Sequence, residues 1–172
     1  MINLNYKKKG FTMIEIVVVL LVVSIGIVGV MSLIVQNIQT QSYDKNTLIS
    51  SQLAQEGIEL IRKVRDSNWK TSLSFGTGLV GTMGTKYDYY MDYLDSVPHI
   101  YSGNSSNLIL KIDSSGFYRN GPLTSASNSI FSRLISITEL DDHTLLVDST
   151  VTWTDHGHNY SYNLETLLYD WK

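Results

Sequence analysis

Residues 7–35 read KKKGFTMIEIVVVLLVVSIGIVGVMSLIV. From Ile16 to Val35 no side chain is charged, and a helix rising 1.5 Å per residue carries those twenty residues across a hydrocarbon layer of ~30 Å. Lys7, Lys8 and Lys9 stand just before the run, and a basic flank of this kind favours a cytoplasmic N-terminus. An ordinary secretory signal has an apolar stretch of ~7–15 residues closed by a small-x-small cleavage site. Here the stretch is longer and continues into VQNIQTQSY (35–43) without such a site. Cleavage after the apolar run is therefore not expected, and the segment stays in the mature chain as a membrane anchor.

Beyond it, no proline occurs from Gln36 to Asp66. Ile49, Leu53, Leu60 and Val64 recur near one helical face, with Gly57 among them and Leu48 and Ile61 widening the stripe. Gln52, Gln55, Glu59 and Lys63 fall off it. Glu59 with Lys63, and Arg62 with Asp66, have the i,i+4 spacing of favourable ion pairs. Gly57 costs about 1 kcal/mol against alanine in a helix interior. The pattern predicts one nearly continuous helix from Phe11 to about Asp66, roughly 80 Å long. Its first half is apolar all round; its second half is amphipathic and needs a cover.

The cover is expected from the C-terminal half. Gly and Ser break residues 70–128 into short pieces, among which Asn107–Ile112 reads as a strand closed by the turn Asp113-Ser114-Ser115-Gly116. Arg133–Glu139, Leu145–Thr154 and Tyr160–Tyr169 alternate as strands, joined by ELDDHT and DHGHN turns. Short strands with tight turns predict an antiparallel meander with one apolar face against the helix. The fold class is α+β: a long N-terminal helix packed on a C-terminal antiparallel sheet.

The order Lys7-Lys8-Lys9-Gly10-Phe11-Thr12-Met13-Ile14-Glu15, set directly against an apolar helix, resembles the processing site of type IV pilins and pseudopilins. The resemblance implies cleavage between Gly10 and Phe11 by a prepilin peptidase, N-methylation of Phe11, and a non-enzymatic filament subunit. It divides the chain into a cleaved cytoplasmic leader (1–10), a transmembrane and assembly half of the helix (11–35) and a globular pilin domain (36–172). Each residue of the motif has a physical role. Gly10 has no side chain to obstruct a protease cleft. Lys7, Lys8 and Lys9 hold the leader in the cytoplasm. Glu15 is a carboxylate at the edge of an apolar segment, a costly placement that makes it a functional candidate. Its other reading is an interfacial acid favoured by the helix N-terminus. The family assigns it the setting of subunit register, against the Phe11 amine of a neighbour.

A second, looser resemblance lies in Ala54-Gln55-Glu56-Gly57-Ile58-Glu59-Leu60-Ile61-Arg62, then Arg65-Asp66-Ser67-Asn68-Trp69. Near the C-terminus it extends to Val151-Thr152-Trp153-Thr154-Asp155, Leu164-Glu165-Thr166 and Asp170-Trp171. These stretches are similar to minor-pilin-like proteins and favour a minor over a major pilin. The implied partners are the prepilin peptidase/methyltransferase, other pilin subunits, an assembly ATPase, a platform protein, and the membrane through residues 11–35. The implied location is the cytoplasmic membrane before assembly, as a single pass with the N-terminus inside, and a cell-surface filament afterwards. Two other readings share these features. One is a pseudopilin of a type II secretion or DNA-uptake apparatus; the other is a monomeric, membrane-tethered extracellular binding protein.

The remaining chemistry is sparse. The formal charge is −3, and without the three leader lysines ten basic residues face sixteen acidic ones, which argues against a general nucleic-acid binder. With no cysteine, disulfides, thiolate metal sites and cysteine nucleophiles are excluded together. No G-x-S-x-G, phosphate loop or HExxH occurs, so no catalytic residue or cofactor is expected. Asp155-His156-Gly157-His158 could be read as a metal pair, and Asp141-Asp142-His143 as part of a cation loop, but each sits where a polar hairpin turn is expected; no metal site is predicted. Asn104 and Asn159 begin glycosylation-like triplets. Tyr87, Tyr89, Tyr90 and Tyr93, interleaved with Asp88 and Asp92, could form an exposed patch for a surface or a sugar; packing over the helix is the preferred reading.

Overall fold

A computed structural model of the chain describes residues 10–121 and 126–171. The principal elements are one helix, α1 (Met13–Lys70), and seven strands: β1 (Lys86–Tyr90), β2 (His99–Ile100), β3 (Ile109–Ile112), β4 (Tyr118–Arg119), β5 (Ser127–Asp141), β6 (Thr144–Asp155) and β7 (His158–Tyr169). The α+β architecture expected from the sequence is what the chain adopts. Two compact units divide it, Met1–Asp44 and Lys45–Lys172.

The helix runs to Lys70, past the end expected near Asp66. Its stop is a C-terminal cap in which the Leu73 amide donates to Asn68 O (2.9 Å) and the Ser72 amide to Trp69 O (3.3 Å), with Ser72 in the left-handed region at φ 59°. Asn68 Nδ2 also donates to the carbonyls of Phe75 (3.2 Å) and Thr77 (2.9 Å), which draws the following loop back over the last turn.

In the second unit all strand pairings are antiparallel and centre on β5. One edge of β5 carries β6 and then β7, the predicted meander. The other edge is shared end to end: β1 pairs with residues 135–138 and β3 with residues 127–132. β2 pairs with β1 and β4 with β3, so two short hairpins lie side by side there. The expected strand Asn107–Ile112 is shorter, because Ser105–Asn107 forms a 3-10 turn capped by the Asn104 side chain. The DSSG turn after it is present, with Asp113 Oδ1 accepting from the amides of Ser115 (2.8 Å) and Phe117 (3.1 Å).

Inward residues of α1 and the sheet meet in two apolar clusters. Ile58, Leu60, Ile61 and Val64 pack with Ile135, Ile137, Leu145, Val147 and Leu168. Leu53 and Ala54 pack with Leu110, Phe131, Val151 and Trp153. Leu48, expected on the stripe, is exposed, because the buried face at that end passes through Asn46 and Ser50. The ion pairs also differ from expectation. Glu59 pairs with Arg62, and Asp66 with Arg65 (2.9 Å), while Lys63 donates to the carbonyls of Tyr93 (3.0 Å) and Asp95 (3.2 Å). Tertiary carbonyls hold Lys63 away from its helical neighbour.

The inner face of β5 carries Arg133, 1 % exposed. Its guanidinium donates to Leu53 O (3.0 Å) and Met91 O (2.9 Å), and lies 3.3 Å from a Glu56 carboxylate oxygen. Burial lowers its proton affinity below that of an ordinary arginine, and Glu56 opposes that shift. Room for this side chain comes from Gly57. A methyl group there would collide with Ser149 Oγ and come within 3.2 Å of both Arg133 Cδ and Ser149 Cβ. Alanine at position 57 should therefore destabilise the domain by about 1–3 kcal/mol through overpacking, despite its helical advantage of ~1 kcal/mol. Thermal unfolding of G57A should show this loss, and the added change Ser149→Ala should recover part of it; a stabilised G57A would refute the close approach.

Candidate functional site

Gly10 and Phe11 precede the helix and are exposed, Phe11 at 79 %. A side chain at Gly10 would meet nothing within 4 Å. Thr12 begins the helix as its cap: its carbonyl accepts from the amides of Glu15 (3.1 Å) and Ile16 (3.2 Å), and its Oγ1 accepts from the Glu15 amide at 3.3 Å. Glu15 thus lies in the first turn, where the helix N-terminus favours a carboxylate. The Thr12-x-x-Glu15 spacing of a capping box was present in the sequence and could have identified Thr12. The expectations for Lys7, Lys8 and Lys9 lie outside the described residues.

From Ile16 to Val35 no large apolar side chain is less than 44 % exposed. None of the most apolar stretch of this helix is buried by the rest of the chain. Ser24 returns its hydroxyl proton to Leu20 O (2.7 Å), so this polar group is satisfied inside the helix. Such a segment suits an apolar surrounding and can cross a membrane.

The other sequence candidates are accounted for by packing and turns. Residues 155–158 form a two-residue hairpin turn in which His156 (φ 50°) and Gly157 (φ 80°) both take the positive φ that such turns require. His156 Nδ1 lies 2.7 Å from Asp155 Oδ1, while Asp155 Oδ2 accepts from Asn46 (3.3 Å). Asp141 Oδ1 accepts from the His143 amide (2.9 Å) in the β5–β6 turn; that bond, with the Thr144 hydroxyl, holds its carboxyl below the usual range. Among the described residues no three His, Cys, Asp or Glu side chains come together as a metal site. Of the tyrosines, Tyr89 is buried with its hydroxyl on Leu79 O (2.7 Å), Tyr87 and Tyr90 are half-buried, and Tyr93 is 38 % exposed.

The looser motifs meet in space. Trp69 Nε1 donates to Asp170 Oδ1 (3.2 Å), the Trp171 ring meets Trp69 edge-on at 4.7 Å, and Arg65 lies 4.5 Å over Trp69. Glu56 and Gly57 meet Arg133, and Gly57 also Ser149, while Ala54 packs in the cluster with Val151 and Trp153. The buried Arg133 itself was missed, although the alternation places it on the same face as Ile135 and Ile137 and could have found it.

Comparison with known families finds the prokaryotic N-terminal methylation motif at residues 5–31. The N-terminal segment is that of a type IV pilin-like prepilin. No curated protein and no solved structure matches the chain. The motif supports a precursor of the pilin or pseudopilin type, of the kind a prepilin peptidase processes. With the apolar helix, it supports membrane anchoring and a pilus-type surface filament.

Mass spectrometry of the prepilin matured with its peptidase should give N-methylated Phe11 as the first residue. Gly10→Leu should leave the precursor uncut, because a branched side chain obstructs the extended peptide at the scissile bond. Mature protein that still begins at Met1 would contradict cleavage at this bond.

Proposed function

We propose that this prepilin is a minor subunit of a type IV pilus-like filament, cut between Gly10 and Phe11 and held in the filament through residues 11–35. The observation that carries the reading is the apolar helical surface from Ile16 to Val35, uncovered by the rest of the chain. Lipid covers it before assembly. The same helices of neighbouring subunits cover it afterwards, with the globular domain, residues 36–172, outward. Lys7, Lys8 and Lys9 keep the leader on the cytoplasmic side, where the cut is made. An assembly ATPase and a platform protein supply the force that lifts the anchor out of lipid. The minor role is supported by the resemblance of residues 54–69 and 151–171.

Cleavage creates a cationic amine on Phe11, and methylation keeps its charge. Glu15 of one subunit neutralises that amine on the next. Away from water the two charges attract strongly, by up to ~4 kcal/mol at 4 Å with an effective dielectric constant of 20. An unpartnered acid in the apolar layer is costly instead. The pair therefore selects one axial register between neighbours.

Glu15→Ala should leave insertion and cleavage largely intact, since it removes a charge from an apolar segment. Its incorporation into sheared filaments should fall about ten-fold or more, equivalent to ~1.4 kcal/mol. Wild-type amounts of the variant in sheared filaments, measured by immunoblot against the membrane pool, would refute the register pairing.

A further inference from the structure

The sheet ends differently at its two edges. On one, β2 and β4 are two residues each, which leaves little backbone for another chain to pair with. On the other, β7 offers twelve residues and pairs only with β6. Its register with β6 is unbroken from His158 to Tyr169, and it contains no proline or lysine to blunt it.

The two-residue turn fixes which backbone groups are already used. Asp155 and His158 close it as a hydrogen-bonded pair, so the even-numbered residues of β7 bond to β6. Asp170 continues that series, its amide donating to His143 O (2.8 Å). The odd-numbered residues of 159–169 therefore turn their N–H and C=O groups to the open edge. Their side chains are exposed, on the face away from α1.

Two further features say what kind of chain fits. Beneath the edge lies a groove of about 310 Å³, lined by Gln55, Ile58, Leu164 and Thr166. Glu59 and Arg62 pair with each other beside it, so it suits uncharged side chains. On the other face, Asp148 and Glu165 stand directly opposite as a non-hydrogen-bonded pair, the closer kind. Like charges so placed repel. Asp148 accepts from Thr150 (3.1 Å) and Asn163 (3.4 Å), but no cation pairs with either carboxylate among the described residues.

We infer that β7 takes up an extended segment of another protein as an added strand, with a lysine or arginine beside Glu165 and uncharged side chains over the groove. Backbone hydrogen bonds give the affinity, and the cation relieves the carboxylate repulsion. A second copy of this chain in the same membrane does not fit through its own β7. α1 runs in the direction of β7, with Leu53 near Tyr160 and Val64 near Leu168. Antiparallel pairing of two β7 strands would turn one helix end for end, and with it the end that carries the anchor. Parallel pairing in register would set Glu165 beside Glu165.

Amide hydrogen exchange of the full chain in detergent micelles, followed by NMR, tests this. The probe is a synthetic peptide alternating valine and threonine around one central lysine; a second peptide has glutamate there. The lysine peptide should slow exchange at Ser161, Asn163, Glu165 and Leu167 and leave the even-numbered amides of β7 unchanged. The glutamate peptide should bind several-fold more weakly. Glu165→Lys should reverse that preference and, as a surface change, keep the wild-type melting temperature. Ser161→Pro removes one outward N–H and should weaken both peptides about five-fold. If it does not fold, Glu165→Lys decides. Three results would overturn the inference: no slowing at the odd-numbered amides, a preference between the peptides that is absent or unmoved by Glu165→Lys, or the same slowing without peptide as protein concentration rises, which would assign the edge to a second copy.

Discussion

A helix apolar on every side can stand uncovered only where its surroundings are apolar as well. That constraint governs residues 16–35. Their backbone groups bond within the helix, and Ser24 folds its hydroxyl back onto Leu20 O, which leaves a surface suited to lipid or to like helices. The same element then continues to Lys70, where its character changes and a sheet covers it. Because one unbroken helix serves as anchor and as core, no proline can interrupt it, and neither proline in the chain falls within it.

The covered half depends on how closely the sheet can approach. Between the two apolar clusters the contact is polar: Gly57 opens the helix surface, Ser149 enters the gap, and Arg133 passes beneath to reach Leu53 O and Met91 O. A buried guanidinium contributes little net stability, since desolvation offsets much of its attraction to Glu56. Removing one partner is a different matter, for it strands the other. The arrangement therefore acts chiefly on geometry. It ties the helix, β5 and the loop after β1 at one point, and Lys63 adds a second tie to that loop through Tyr93 O and Asp95 O. Ala54, Gly57, Ile58, Leu60 and Ile61 of the stretch 54–62 thus have a packing explanation, and the Trp69–Trp171 contact, with Arg65 over Trp69 and Asp170 on its Nε1, gives those four residues another.

What could be read in advance was whatever repeats locally. The long helix, the meander of β5, β6 and β7, and the polar hairpin turns all follow from periodicity and turn chemistry within short windows. β1, β2 and β4 did not follow, because pieces of two to five residues fall below any periodic signal and form only by pairing along an edge supplied by β5 or by one another. The ion pairs on the helix were misassigned for a related reason. Spacing places Lys63 beside Glu59, but carbonyls from residues distant in sequence compete for its ammonium. Leu48 belongs to the apolar period yet has no sheet residue over it.

The processing motif and the cleft between the two short hairpins differ in the same way. A processing site must be read as an extended peptide, so its information lies in adjacent residues from Lys7 to Glu15 and needs no fold to be recognised. Only Thr12 adds something structural, by fixing where the helix starts. The cleft between the hairpins has no such linear record. Tyr90, Asp92, Asp95 and His99 come from one hairpin, and Arg119 and Asn120 from the end of the other; β5 is what sets them side by side. The tyrosine-rich stretch hinted at a sugar, but most of those rings turned inward or against neighbours. The ties that hold this end of the sheet, Arg119 to Asp92 and the Asn120 amide to the carbonyls of Asn107 and Leu108, become visible only once both hairpins have been placed.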